Sequence, residues 1–477
     1  MKPTVNDGGG NRSGSGNADL MARLTGWLDA DDSAATASAA DRVLRAPWRH
    51  LAHQASGTEQ VRQTELQRLQ NAGSAEERVR SDYRGRYAIE LLQNAHDACA
   101  DADTVGQAWL QLTPTALLVA NEGVPFTAER IDSLLQLGDS SKAADRAEHH
   151  TIGYKGIGFS AVLEITDQPQ IISASTSFCF HRHAARERVG QVLNKEPRAV
   201  PTRYFPFPLD QDDLEDDAAA VQDLIDGGAV TVIRLPLVSR RKAKEVQAEL
   251  QSGLRPETLL FMPHLQRLTL ATPGATTRWS RRAGHRVATG QLQHLREEGG
   301  TTRSWLVASR TVALEKAAVA ALDDPLWASV RQANVSVGVP WRDGRPDPDR
   351  GDQPMHVYFP TDDRLGRPLL VHGDFYVQSN RRRITSAGRG ADVSRAIAAA
   401  AADLTGDLAA ALVDHGNALL RTLAPSGPAD GFGTVLAQLI DARLRERRIL
   451  RPADGSAPVA AAGLNRRLLE FLEGGPA

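Results

Sequence analysis

The chain has 477 residues, 41% apolar and 24% charged, and its 56 Lys and Arg nearly balance 58 Asp and Glu for a formal charge of −2. That size and apolar content allow two or three domains with real cores, and the near-neutral charge leaves nucleic acid open, since a local basic patch can exist on a neutral chain. Only Cys99 and Cys179 are present, both in apolar company, and no apolar run approaches membrane length, which excludes a disulfide scaffold and a spanning helix and predicts a cytoplasmic chain without a signal peptide.

In chain order, Met1 to Asn17 is rich in Gly, Ser and Asn and reads as a disordered tail. Helical periodicity follows over Asp19 to Asp32 (Leu20, Leu24, Trp27, Leu28), Ser38 to Gln54 (Val43, Leu44, Trp48, Leu51) and Gln60 to Asn71. These segments form a helical leader. The next stretch, Tyr83 to Ala100, places Glu90, Asn94 and Asp97 at steps of four and three, which stack on one helix face. Ile89, Leu91, Leu92, Ala95, Ala98 and Cys99 lie mostly on other faces. Two carboxylates and an amide suit Mg-nucleotide chemistry, with Glu90 able to deprotonate a water, Asn94 to offer its carbonyl oxygen to a hard cation, and Asp97 to hold waters or a base edge. An ordinary surface helix with a polar stripe is the competing reading.

Paired strands are predicted at Trp109 to Leu112 and Ala116 to Ala120, joined by a Thr-Pro-Thr turn and leading into Asn121-Glu122-Gly123-Val124-Pro125-Phe126. A helix over Thr127 to Leu137 precedes Asp139 to His150, which has no strong period and reads as a lid. Gly153-Tyr154-Lys155-Gly156-Ile157-Gly158-Phe159 then supplies glycines that let backbone N–H groups approach phosphate oxygens at a helix N-terminus. His149, His150, His181 and His183 lack a persuasive zinc spacing, and the acidic run Asp210 to Asp217 reads as a solvated insertion or helix start.

Beyond Leu237, Arg240-Arg241-Lys242 opens a helix towards Leu250. Strands are expected at Arg267 to Ala271, Thr302 to Val307, Val335 to Val339, Met355 to Phe359, Leu369 to Val371 and Phe375 to Val377. A short Ala-rich helix (Glu315 to Ala321), an exposed loop (Gly344 to Gln353) and a long Ala-rich helix (Ala391 to Leu412) complete a second mixed domain. Pro-Ser-Gly-Pro marks a linker from Pro425, before a helical end with Arg443, Arg445, Arg447, Arg448 and Arg451, read as a charged helix face with a partner or nucleic-acid patch as alternative.

The order and spacing of E-L-L-Q-N-A-H-D-A, N-E-G-V-P-F-T, G-D-S-S-K and G-Y-K-G-I-G-F-S resemble the asparagine box and the two glycine boxes of the Bergerat-fold (GHKL) ATPases, whose members include gyrase, the large heat-shock chaperones, histidine kinases and MutL. Within that superfamily the wording is similar to the sacsin and NO VEIN type, near the heat-shock chaperone branch, and the similarity extends through T-V-I-R-L-P-L, L-L-F-M-P-H-L and V-H-G-D-F-Y-V-Q-S-N-R to about Val413. The resemblance implies an α+β fold: tail 1–17, helical leader 18–82, Bergerat α/β sandwich 83–237, middle (transducer-like) domain 238–413, and a linker with a small helical end over 414–477. It implies a slow Mg-dependent ATPase, sacsin-like and chaperone-like, with ATP and Mg²⁺ as cofactors. By the same resemblance Glu90 and Arg381 are catalytic, Asn94 holds Mg²⁺, and Asn94, Asp97, Asn121, Gly123, Ser141, Lys142, Gly153, Lys155, Gly156, Ile157, Gly158, Phe159 and Thr231 bind nucleotide.

Departures from the superfamily pattern are visible. Asn121 stands where an Asp accepts the adenine amino group, which puts the preference for ATP over GTP in doubt, and Pro125 replaces a glycine. Arg381 falls in Ser379-Asn380-Arg381-Arg382-Arg383, where Arg382 replaces a usual Glu, so Arg382 or Arg383 competes for the role of γ-phosphate sensor. A non-hydrolysing scaffold, a DNA-associated ATP-gated clamp and a histidine kinase remain alternative functions. The partner is expected to be an unidentified protein client, with nucleic acid or a second copy of the chain open, and roles in defence or nucleic-acid processing stay open too.

Overall fold

The computed structural model describes residues 12–30, 38–82, 87–135, 158–174, 176–324, 327, 330–377, 383–450 and 457–460. The architecture is α+β, and the chain divides into two compact units, the first built mainly from residues up to 250 and the second from those beyond 277.

The first unit opens with helices α1 (Arg12–Asp29), α2 (Ala39–Ala55) and α3 (Glu59–Asp82). The first helix starts earlier than periodicity suggested, inside the stretch read as tail. Ser38 caps α2 through a capping box with Asp41. Then come α4 (Tyr87–Asp101), β1 (Gly106–Leu112), β2 (Ala116–Asn121), α5 (Ala128–Leu135) and a 3₁₀ turn (Gly158–Glu164). They are followed by β3 (Gln170–Ser173), β4 (Thr176–Phe180), α6 (Arg182–Leu193), β5 (Pro206–Pro208), α7 (Ala218–Asp226), β6 (Thr231–Pro236) and α8 (Arg240–Gly253).

The strands of this unit run in the order β1-β2-β6-β3-β4-β5, and every neighbouring pair is antiparallel. Ala116, Leu118, Ala120 and Val232 pack with Val221 and Leu224 of α7. Strand alternation puts Leu117, Val119, Asn121, Thr231 and Ile233 on the opposite face. A separate cluster joins Leu20, Leu24, Trp48, Leu51, Leu66 and Leu69 of the leader helices to Phe205 and Phe207, so the leader is integral to the core of this unit. The acidic run is not simply solvated. Asp217 is 2% exposed, paired at 2.8 Å with the equally buried Arg234 of β6 and bonded by the Thr115 hydroxyl.

The second unit contains β8 (Ala275–Val287), β9 (Gly290–Glu297), β10 (Thr302–Ala313), α9 (Lys316–Ala320), β11 (Gln332–Arg342), β12 (Arg345–Pro346), β13 (Pro354–Val357), β14 (Phe359–Arg364), β15 (Leu370–Gly373), α10 (Ala391–Ala411), α11 (Gly416–Leu423) and α12 (Phe432–Glu446), while β7 (Leu265–Thr272) falls on the division between units. Its strands run β8-β9-β10-β11-β15-β13-β14, with β13 and β15 parallel. One apolar cluster joins Val335, Val337 and Val339 of β11 to Ile397, Ala401 and Leu408 of α10 and Leu436 and Ile440 of α12.

Three expectations need correction here. Met355 to Phe359 is not one strand, because Tyr358 has φ of +63° and breaks it into β13 and β14. Asp347, in the stretch read as exposed, is 3% exposed because β12 folds back on β11. Phe375 to Val377 forms only an isolated bridge, Val377 to Ile384. Of the C-terminal arginines, Arg443 pairs with Asp403 and Glu446, and Arg447 with Asp407, while Arg451 lies outside the described residues. Among the described residues, no single helix is long and apolar enough to cross a membrane.

Candidate functional site

The helix α4 forms because Tyr87–Asp101 has no Gly or Pro and is rich in Ala and Leu. It stops where Asp103 turns left-handed at φ of +50°, with Thr104 N–H donating to Cys99 O at 3.0 Å and Asp103 N–H to Ala100 O at 2.9 Å. This is the Schellman pattern that satisfies terminal carbonyls. The polar row is not a solvated stripe. Glu90 and Asp97 are each 5% exposed, and Asn94 between them is half-buried. Carboxylates are rarely taken out of water without a compensating role, so the surface-helix reading is set aside. The ring of His96, beside the row, lies with Nδ1 3.1 Å from Asp97 Oδ1. At the first turn the Tyr87 hydroxyl donates to Glu249 of α8 at 2.7 Å, and burial, then the Glu249 charge, pushes its pKa up.

The loop after β2 is clamped on the last turns of α4. Val124 N–H donates to Ala98 O at 3.0 Å, and the Cys99 thiol donates to Glu122 O at 3.3 Å. The Glu122 carboxylate is held by Gln107, from N–H at 3.1 Å and Nε2 at 2.9 Å. Gly123 lies so close that a Cβ there would sit 2.5 Å from the carbonyl of Ala98, and its φ of +108° is one L-residues rarely adopt. Burial and the Glu122 charge push the Cys99 thiol up to about 11, which makes it an inert packing group.

Asn121 is 7% exposed and its Nδ2 donates to Glu122 O at 2.6 Å. It stands in register with Thr231, which stands in register with Ser173. The hydroxyls of Ser173 and Thr231 are 2.6 Å apart, and Phe126 N–H donates to Ser173 Oγ at 2.9 Å. The strand register thus sets Asn121 beside Thr231, and the clamp sets Gly123 against Ala98, the residue after Asp97. Sequence reasoning did not find Ser173, whose only signal is its place opposite Thr231.

Other expected site residues fall differently. Gly158 opens the 3₁₀ turn that packs against α4. Phe159 is 3% exposed and packs in an aromatic cluster with Phe180 at 6.2 Å, so its side chain belongs to the core. Ser141, Lys142, Gly153, Lys155, Gly156, Ile157 and Arg381 lie outside the described residues, as do His149, His150 and Arg382. Arg383 is already engaged inside the second unit, 3.8 Å from Asp363 and 3.9 Å from Asp430. Among the described residues no group of three or more His, Cys, Asp or Glu converges as a metal cage. A shallow depression of about 510 Å³ along α6, lined by residues including His183, Arg186 and Lys195, is formed entirely by residues 183–196.

Residues 77–270 match the family model described as the Sacsin domain. The chain is 26% identical to Protein NO VEIN of Arabidopsis thaliana over 316 residues, which is 62% of this chain and 10% of that protein. It is 27% identical to Sacsin of Homo sapiens over 208 residues, 38% of this chain and 4% of that protein. These matches support the sacsin/NO VEIN-type family, and they cover a tenth or less of the length of each of those relatives.

Proposed function

We propose that the first unit is a Bergerat-type (GHKL) domain that binds Mg-ATP and hydrolyses it slowly, the nucleotide state driving a chaperone-like rearrangement on a protein client in the cytoplasm. The observation that carries the reading is the row Glu90, Asn94 and Asp97, its two carboxylates buried, with the Gly123 loop clamped at Ala98 directly after it. Such a row has the composition a nucleotide site needs.

The donor set fits Mg²⁺. This ion dehydrates reluctantly and is commonly held by one or two protein oxygens, waters and substrate phosphates, so a single carboxamide at Asn94 suffices and no carboxylate cage is needed. When bound, the ion would neutralise phosphate charge. Asn94 would hold it through its side-chain oxygen. Glu90, flanked by the buried Leu91 and Leu92, would take the proton from the attacking water, as a positioned carboxylate base does.

Asp97 and Asn121 would recognise the base, with Thr231 beside them. Because one N–H of the Asn121 amide donates to Glu122 O, the amide nitrogen is turned to the loop backbone, and its oxygen would accept from the amino group of adenine. Arg381, or Arg382 beside it, would sense the γ-phosphate through a bidentate guanidinium contact, since Arg383 has carboxylate partners of its own.

The test is Mg-ATP and Mg-GTP affinity and turnover on the intact chain and on Glu90→Ala. The variant should keep binding and lose roughly 10²- to 10⁴-fold in turnover. Equal turnover would remove Glu90 from the chemistry. Binding without turnover in both proteins would replace hydrolysis by an ATP-binding scaffold.

A further inference from the structure

In the second unit, β8 carries Arg278, Arg281, Arg282, His285 and Arg286 and no acidic residue. Three arginines of this part of the sheet are engaged: Arg278 with Glu298 at 2.7 Å, Arg281 with Gln293 at 3.1 Å, and Arg303 of β10 with Glu257 at 3.5 Å. Arg282 of β8 and Arg296 of β9 are different. Both are exposed, and among the described residues neither has a carboxylate partner.

The strand register puts these two on one face. Arg282 stands opposite His294, which stands opposite Ser304 of β10, and Ser280 stands opposite Arg296, which stands opposite Thr302. Cross-strand partners share a face, so two adjacent rows hold two guanidiniums, an imidazole and three hydroxyls. His294 Nδ1 lies 2.8 Å from Ser304 Oγ, and Gly284, where a Cβ would meet His294 Nε2 at 2.7 Å, leaves room for the ring. The next row on this face, Leu292 and Leu306, is buried in the apolar cluster, so the cationic rows begin where the core ends. Glu297, next to Arg296, alternates to the other face, opposite Trp279. Arg282 and Arg296 are diagonal neighbours, about 7–8 Å apart by strand geometry. Two permanent charges so placed repel one another, and neither row contains a carboxylate to offset them.

We propose that this face binds the phosphate backbone of duplex DNA. Guanidinium forks and hydroxyls are the groups that contact DNA phosphates. Two forks a diagonal apart call for two phosphates, hence a polymer and not a single nucleotide. The tryptophans of β8, β10 and β11, Trp279, Trp305 and Trp341, are buried, so they offer no exposed ring to the bases of a single strand, which is bound by stacking. Recognition of duplex RNA by shape spans two successive minor grooves, and these rows, three strands wide, cover only about 10 Å. The surface lies in the second unit and does not rest on the nucleotide reading of the first.

The experiment measures binding of a DNA duplex of about 20 base pairs to the full chain over a salt series, starting at about 50 mM, where backbone contacts are strong. The parent should bind, with the same Kd for two unrelated sequences. Arg282→Gln combined with Arg296→Gln should weaken binding about tenfold and lower the slope of log K against log salt by about 2. Arg282→Lys with Arg296→Lys keeps the charges and loses the forks, so it should keep the slope. Arg395→Gln with Arg421→Gln makes the same charge change at arginines paired with Asp392 and Asp349, and should bind as the parent does.

No binding by the parent at the lowest salt overturns the proposal. So does an unaltered Kd in Arg282→Gln with Arg296→Gln, or an equal loss in Arg395→Gln with Arg421→Gln, which would make the attraction one of general charge. Tighter binding of the single strand, of duplex RNA or of polyglutamate than of the DNA duplex overturns the choice of partner.

Discussion

Gly123→Ala tests the contact that joins the base-side loop to α4. The backbone there has φ of +108°, outside the regions open to alanine, and the new Cβ would lie 2.5 Å from Ala98 C and O and 2.7 Å from Cys99 N, where ordinary contact begins near 3.4 Å. The obstacle is helix backbone, which cannot swing aside as a side-chain tip can. The strained dihedral costs ~1–2 kcal/mol and the overlap another ~1–3 kcal/mol, so relief requires the loop to lift from the helix. That breaks the Val124 to Ala98 and Cys99 to Glu122 hydrogen bonds. A total of roughly 3 kcal/mol is about two decades in local opening. Hydrogen exchange on the intact chain should show Ala116–Asn121 exchanging about a hundredfold faster, with Thr302–Ala313 of the second unit as the internal control. Exchange at Ala116–Asn121 within threefold of the parent would show that the loop is not clamped on the last turns of α4.

The base pocket and the second unit supply two further tests. Asn121→Asp replaces an amide whose nitrogen donates to Glu122 O with a group that cannot donate, so the side chain should turn and the ATP-to-GTP affinity ratio should change; a competition assay giving the parent's ratio takes Asn121 out of the pocket. In the second unit, burial pulls His356 down to about 4 and His372 to about 3, and His372 Nδ1 accepts from Tyr358 N–H at 3.2 Å while its ring stacks on Phe261 at 4.3 Å. The unfolded chain therefore binds protons first as pH falls below the ordinary histidine value, so stability is full above it and is lost towards pH 4, by up to ~1.4 kcal/mol per pH unit for each ring. His372→Gln should flatten the slope of urea-unfolding midpoint against pH between 4 and 6.5 by about half, and an unaltered slope would refute the assignment.

What could be read beforehand was local. The α4 row was legible because steps of four and three survive any tertiary context once a helix forms, and the β1–β2 hairpin because Thr113-Pro114-Thr115 interrupts two apolar runs. The strands β8 and β9 escaped notice. In β8 only Trp279 is buried, and arginines, glycine and histidine occupy half of the remainder, so the period-two signal is absent. The acidic run misled for a related reason: its last member, Asp217, is buried against Arg234, which reaches it from a strand beyond α7.

The same distinction bears on function. The residues that invite a nucleotide reading are neighbours in sequence, which is why a resemblance could find them. The groups that hold the site's flanks are pairs such as Glu76 with Arg203, separated by 127 positions, and no periodicity announces them. A buried arginine whose carboxylate partner comes from the leader, and whose other end meets the carbonyl of Leu134, makes the leader and the end of α5 respond to one another. Truncating the chain at the apparent start of the nucleotide domain, residue 83, would remove Glu76 from beside that cation. The expected consequence is a fragment that loses the end of α5 before it loses β2 and β6, so hydrogen exchange on a fragment beginning at residue 83 should rise first in Ala128–Leu135. Equal protection of α5 in the fragment and the full chain would show that the leader contributes only bulk to the core.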